Sequence, residues 1–201
     1  MTKIVFATGN RGKLREASEI LGEGFELFTP SDYGIDEDIP ETGDTLEENS
    51  LQKARYIFER KGCDCFSDDT GLEVEALGGA PGVYTARYAG ETKDFNANMD
   101  KVLSELETLE KEDAPVSRKA RFRSVVTLIL DGVVHQFEGT MEGEIAREKS
   151  GRGGFGYDPI FMPYEYPGLT AADITEEQKN EISHRGKALR AMAAFLHETD
   201  R

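Results

Sequence analysis

Two adjacent carboxylates, Asp68 and Asp69, stand in the run Ser67-Asp68-Asp69-Thr70-Gly71. The apolar residues before them predict a strand that ends here, just ahead of a glycine turn. Neighbouring strand residues face opposite sides, so one of the pair is expected to point into a given cleft and the other to cap a helix or bond a turn. Asp69-Thr70-Gly71 also spells the aspartic-protease triplet. That chemistry needs two carboxylates sharing a proton, hence two triplets or a symmetric dimer, and the chain holds one. Paired with Glu41 from an acidic loop, Asp69 would instead suit Mg2+, which takes one or two carboxylates plus water and substrate phosphates.

A second candidate is the turn Thr8-Gly9-Asn10-Arg11-Gly12-Lys13 between a buried strand and a helix. Such junctions aim free backbone N–H groups and the positive helix end at whatever lies above, which suits phosphate, and Lys13 would add a full charge. It is not a P-loop, because two residues rather than four separate the glycines and Leu14 follows the lysine. Taken alone, the turn fits an anion site and an ordinary strand-to-helix connection alike.

Gly151-Arg152-Gly153-Gly154-Phe155-Gly156 matches the dinucleotide pattern literally, but Tyr157-Asp158-Pro159 follows, and Pro159 disfavours the helix that the pattern requires. The segment reads better as a flexible loop presenting Phe155 and Tyr157, two flat faces for a base, or else as a loop with core aromatics. Lys179 and His184 fall five residues apart on or beside one helix, with Arg185 next to the histidine. Asn49 and Lys53 share a helix face at i, i+4, by default a surface pair.

These residues need a scaffold. Residues 3–8 form a short apolar run bounded by Gly9-Asn10. Leu14, Ala17, Ser18 and Leu21 recur with helical spacing before Gly22 and Gly24, and residues 25–29 read as a second strand. A β-α-β opening favours an α/β sheet. Residues 30–44 are polar and irregular, with Asp36, Glu37, Asp38, Glu41 and Asp44 and no Lys or Arg. Thr45-Leu46-Glu47-Glu48 reads as a capping box opening a helix to about Lys61. Residues 94–109 carry a helical apolar face, and residues 111–117 form a charged connection. Residues 120–130 and 133–147 are extended runs around Asp131-Gly132, a hairpin signal, with bulges expected at Gly139 and Gly143. Residues 175–197 are mostly helical. The fold class is α/β, on a long and mixed sheet.

The 201 residues suit one domain, residues 1–201, or two closely joined lobes. Lys and Arg number 24 against 39 Asp and Glu, a formal net charge of −15. A sequence-independent duplex binder needs a basic footprint that this chain lacks, so no nucleic-acid partner is expected. If the substrate is nonetheless a polyanion, its site must gather local cations, helix N-termini or metal ions. No apolar run approaches a membrane span, and no leader-like segment precedes the first strand. Cys63 and Cys65 exclude a disulfide framework and, without a second cluster, a structural zinc site. A reduced, cytoplasmic setting is expected.

Six segments, in order, carry a resemblance. They are residues 8–13; Glu41-Thr42-Gly43 with residues 48–54; Ser67-Asp68-Asp69-Thr70-Gly71-Leu72; Gly78-Gly79-Ala80-Pro81-Gly82-Val83-Tyr84; Gly153-Gly154-Phe155-Gly156-Tyr157-Asp158-Pro159; and Ser183-His184-Arg185-Gly186. Together they resemble the inosine/xanthosine triphosphate pyrophosphatases, from residue 3 to about residue 196. The resemblance implies a long mixed sheet flanked by helices, two lobes with an active-site cleft between them, and a homodimer. It implies Mg2+-dependent cleavage of non-canonical purine nucleoside triphosphates such as ITP, dITP and XTP to the monophosphate and pyrophosphate. By position, Thr8, Gly9, Asn10, Arg11, Gly12 and Lys13 would hold the phosphates with Lys53. Glu41 and Asp69 would serve the metal, and Asp69 would also accept the proton of the attacking water. Thr70, Phe155, Gly156, Tyr157, Asp158, Lys179, His184 and Arg185 would surround the nucleotide. Two other readings share these features: a nucleotide-binding sensor without turnover, and a triphosphatase releasing orthophosphate.

Overall fold

A computed structural model describes residues 1–112 and 115–199. Six strands are hydrogen-bonded in the order β2-β1-β3-β4-β5-β6. They are β1 (Thr2–Phe6), β2 (Phe25–Phe28), β3 (Cys65–Val74), β4 (Lys119–Leu130), β5 (Val133–Ile145) and β6 (Phe161–Pro163). β1 runs parallel to both β2 and β3, whereas β5 and β6 are antiparallel, so the sheet is mixed as expected. The helices are α1 (Arg11–Leu21), α2 (Leu46–Lys61), α3 (Phe95–Glu112), α4 (Glu176–Ile182) and α5 (His184–Glu198). None of these described helices is long and apolar enough to cross a membrane. Residues 113 and 114 of the expected charged connection lie outside the described residues.

The chain forms two compact units, and β3, β4 and β5 contribute residues to each. In the first (Met1–Asp69, Ser124–Gly139, His184–Arg201), strand alternation sorts the apolar side chains into two cores. Ile4, Phe6, Phe66, Val126 and Leu128 pack with α1 and α5 through Ala17, Leu21, Leu189 and Met192. Their neighbours Val5, Ala7, Cys65 and Ile129 pack on the other face with Ala54 and Ile57 of α2. Each such fully buried large side chain contributes roughly 1.5–3 kcal/mol. The second unit (Thr70–Arg123, Thr140–Ser183) has its own core, in which Met99, Val102 and Leu106 of α3 meet Leu72, Val74, Met141, Tyr157 and Phe161.

Three local expectations change. β3 does not end before Gly71 but runs to Val74, because Leu72 and Val74 resume the buried apolar alternation. The segment 175–197 is two helices, broken at Ser183, whose backbone is extended (φ −60°, ψ 137°). Gly139 owes its identity to close approach: a Cβ there would lie 2.1 Å from the His184 carbonyl oxygen and 2.6 Å from the Ala188 nitrogen. The Asp131-Gly132 turn is as read, with positive φ at both residues.

Two outcomes follow from the first unit. Gly139→Ala should lower stability by about 3 kcal/mol or more, because its clash is with helix backbone that cannot step aside; urea denaturation measures this. Cys65 is buried beneath α2 with its thiol on the Ala54 carbonyl, and burial pushes its pKa up to about 12. A thiol reagent at pH 8 should therefore leave Cys65 unmodified in the native protein and label it only on unfolding.

Candidate active site

β1 ends at Phe6, and Thr8 to Asn10 carry the chain into α1. The Asn10 side chain caps that helix, accepting from the N–H groups of Gly12 (2.8 Å) and Lys13 (3.1 Å), while the Asn10 N–H donates to Thr8 Oγ1. These two helix N–H groups are thus not free for an anion, contrary to expectation, because the asparagine has satisfied them. Gly9, Asn10, Arg11 and Gly12 are exposed, and the charge of the turn comes forward through Lys13.

The loop before α2 is stitched to the helix. Thr42 N–H donates to Gln52 Oε1, Gly43 N–H to Asn49 Oδ1 and Asp44 N–H to Glu48 Oε2. Thr45 caps Glu48, but Glu48 answers at Asp44 rather than at Thr45, so half of the expected box forms. Asn49 and Lys53 are buried rather than a surface pair. Anchored this way, Glu41 reaches Lys53 Nζ at 2.5 Å, and Lys53 also donates to the Asp68 carbonyl (2.6 Å) and to Asp69 Oδ1 (3.4 Å). Burial alone would lower the pKa of the Lys53 ammonium, but Asp69, Asp68 and Glu41 outweigh it and hold it above its usual value. Asp69 is pushed up to about 6, by burial first and then by the like charges of Glu41 and Asp68, with Lys53 opposing.

Asp68 faces the other way. The residue is 2% exposed, and its carboxylate accepts from Lys13 Nζ on both oxygens (3.1 and 2.8 Å) and from Arg185 Nε at 3.1 Å. Burial would raise its pKa, yet Lys13, Arg185 and Lys53 together hold it well below the usual carboxylate range. Arg185 Nη1 in turn donates to Glu16 Oε2 at 3.4 Å. Sequence reasoning gave Asp68 only a cap or turn role and did not single out Glu16. The parity of β3 was the available signal for Asp68, since it lies two residues beyond the buried Phe66. Nothing local marks Glu16.

Thr8, Gly9, Lys13, Glu41, Lys53 and Asp68 line a pocket of about 320 Å3, whose rim includes Asp36, Glu37 and Asp38. Asp69 and Arg185 stand one ion pair behind it, through Lys53 and Asp68. All of these belong to the first unit, together with His184, the half-buried first residue of α5.

The second unit gathers the remaining candidates. Thr70 continues β3. Asp158 is buried and accepts from the Phe155 N–H (2.6 Å) and from Lys179 of α4. Gly154 is required beside it, since a Cβ would lie 2.2 Å from Asp158 Oδ2. Phe155 is 74% exposed, with its ring edge-on to Phe95 at 4.7 Å. Of the two readings of this loop, Tyr157 takes the core one: it is 1% exposed, sits among the core side chains, and donates its hydroxyl to the Thr85 carbonyl. Its ring is apolar filling, and Gly156 before it supports the turn with a positive φ.

Comparison with known proteins adds independent findings. The sequence matches the Ham1 family over residues 4–195. It is 50% identical over 196 residues to a dITP/XTP pyrophosphatase of Porphyromonas gingivalis, covering 98% of each chain. It is 48% identical over 194 residues to a dITP/XTP pyrophosphatase of Flavobacterium psychrophilum, covering 96% of this chain and 98% of the relative. The solved structure of a HAM1 protein from Coxiella burnetii superposes with a TM-score of 0.91 at 39% identity, covering 98% of this chain and all of the other.

The Lys53 cluster generates a stability outcome. Lys53→Met leaves the largely buried Asp69 without its cation beside the exposed Glu41, and should cost about 2–3 kcal/mol, less than a fully buried pair because water screens Glu41. Adding Glu41→Gln should restore part of that loss. Urea denaturation with a chelator present compares the three proteins; a double variant no more stable than Lys53→Met would mean that Glu41 and Asp69 do not repel.

Proposed function

Because the chain belongs to the Ham1 family, we propose that it hydrolyses non-canonical purine nucleoside triphosphates (ITP, dITP and XTP) to the monophosphate and pyrophosphate, as a Mg2+-dependent enzyme. The observation that carries this reading is the convergence of Lys13, Lys53, Glu41 and Asp68 on one pocket, with Asp69 bound to Lys53 behind it. Two relatives matched along nearly their whole length are named for two of these substrates, dITP and XTP.

The charge balance supports a metal requirement. Lys13, Lys53 and Arg185 are opposed by Glu16, Glu41, Asp68 and Asp69, so the set has no positive charge to spare. A triphosphate brings roughly −4 more into a chain that is already acidic, and long-range attraction is absent. The donors suit a hard cation: Glu41 and Asp69 are carboxylates of raised mutual repulsion. Among the described residues no three acidic, histidine or cysteine side chains converge on a point, so the rest of a Mg2+ shell would come from phosphate and water. Bound there, Mg2+ would neutralise phosphate charge and acidify a nearby water.

The chain's own residues take the remaining roles. Lys13 holds phosphate oxygens, and Lys53, whose three donors here go to Glu41, Asp69 and the Asp68 carbonyl, joins it only by giving up one of those bonds. Asp69, its pKa raised to about 6 by its burial and by Glu41 and Asp68, orients the attacking water and accepts its proton. The exposed Phe155 ring of the second unit is an aromatic face of the kind that stacks on a base without choosing it. Arg185 keeps part of its donor fork free for the 6-oxo group that separates these purines from adenine. The same reading includes a homodimer and a cytoplasmic setting.

The decisive measurement is a product-resolved hydrolysis panel with Mg2+. Pyrophosphate should appear with dITP, ITP and XTP, and far more slowly with ATP and GTP. Orthophosphate as the first product would move the cut to another bond, and tight binding without turnover would make the protein a sensor. Asp69→Asn should fold and lose at least ~10²-fold in kcat, the low end for losing a positioned base; near-normal turnover would remove Asp69 from the mechanism. Lys13→Ala should chiefly raise KM.

A further inference from the structure

We propose that Asp68 is the positioning residue that ties the phosphate end of this site to its base-reading end, by holding Lys13 and Arg185 on one buried carboxylate. The proposal rests on the reading of the pocket as a triphosphate site and gives a task to Asp68, which that reading counts only among the charges of the site.

The geometry is specific. Lys13 comes from the first turn of α1 and Arg185 from the first turn of α5, two helices far apart in sequence. Both reach the same Oδ2 atom, Lys13 at 2.8 Å and Arg185 at 3.1 Å, and Lys13 also takes Oδ1 at 3.1 Å. An ammonium has three N–H donors in all, so Lys13 keeps at least one for a phosphate while the others fix its direction. A guanidinium has five, in a rigid fork. Nε is committed to Asp68 and one Nη1 hydrogen to Glu16, which locks the plane and leaves the Nη2 side for a ligand. Asp68 thus does not compete with substrate. It sets where the free donors point, and it does so for both cations through one shared oxygen.

A shift of either cation is therefore felt by the other. If Lys13 moves with a phosphate, Asp68 Oδ2 and the Arg185 plane must adjust, so a triphosphate tail in register and an oxo-purine in register support each other. Misplacement of about 1 Å at such a group is enough to cost ~10²-fold in rate.

The test starts from Asp68→Asn, which keeps shape and removes charge. At a temperature where circular dichroism shows the variant folded, kcat/KM for dITP should fall ~10- to 100-fold, and the preference for dITP over dATP should narrow. A residue serving stability alone would leave both at wild-type values, and that result overturns the proposal. A thermodynamic cycle probes the link itself. Lys13→Met and Arg185→Met should be non-additive in kcat/KM by at least ~3-fold in the wild-type background, and additive when Asp68→Asn is present. Additivity in both backgrounds would sink the idea. If Asp68→Asn does not fold, Asp68→Glu keeps the charge and displaces it by one methylene. It should fold yet lose at least ~10-fold, and wild-type kinetics there would refute positioning. The Arg185 Nε–H resonance, identified by its loss in Arg185→Lys, reads the contact with no substrate at all. It should shift in Asp68→Asn and stay in place in Asp69→Asn, and an unmoved signal in Asp68→Asn would overturn the pairing. A wild-type protein inactive on every triphosphate would defeat the functional reading while leaving this resonance test intact.

Discussion

Burying a carboxylate is tolerable only where opposite charge and hydrogen bonds replace the water that it loses, and β3 asks this twice in succession. Asp68 and Asp69 are consecutive, so the pleat sends them to opposite faces of the strand. On one face Phe66 and Asp68 meet α1 and α5, where Lys13 and Arg185 arrive. On the other, Cys65, Ser67 and Asp69 meet α2. There Cys65 bonds the Ala54 carbonyl, Ser67 the Ser50 carbonyl, and Asp69 the Lys53 ammonium. Three helices must each deliver a cation to one short stretch of strand. The apolar cores on the two faces hold them there, because moving a helix would strand a buried charge.

That dependence runs back to the loops. Glu41 is useful only if its flexible approach is fixed, and the bonds from Thr42, Gly43 and Asp44 onto α2 do the fixing. Asn10 does the same at α1, closing the helix so that Lys13 leaves from a defined first turn. Gly139 lets β5 approach the backbone of α5 at its start, the turn that carries His184 and Arg185. Each is a local device whose purpose appears only at the carboxylates.

Much of this scaffold was legible without coordinates. Helical spacing marked α1, a short continuous apolar run marked β1, a long extended run marked β4, and Asp131-Gly132 marked the hairpin. Those signals are local, and local physics wrote them. Gly71 misled because a glycine usually punctuates a strand, whereas here the burial of Leu72 and Val74 carries β3 through it. Tyr157 misled because an aromatic beside glycines looks the same in a loop and in a core; only its partner at Thr85, 72 residues away, decides. For the same reason the burial of Lys53 and the pairing of Glu16 with Arg185 could not be read, since each depends on residues distant in sequence.

The site also settles a tension in the composition. An acidic chain offers a polyanion no general attraction, and the cations it gathers are already matched by carboxylates that hold them. Matching has a benefit: an ammonium or guanidinium fixed by its partner loses little freedom when a ligand arrives, so its hydrogen bonds are made at full strength. It also has a cost, because a bare triphosphate meets no surplus positive charge. A triphosphate accompanied by a divalent cation meets carboxylates as well as cations, and both kinds of group then have a partner. On the proposed reading, the arrangement that makes the site rigid is the same one that makes it favour the metal-bound nucleotide over the free anion.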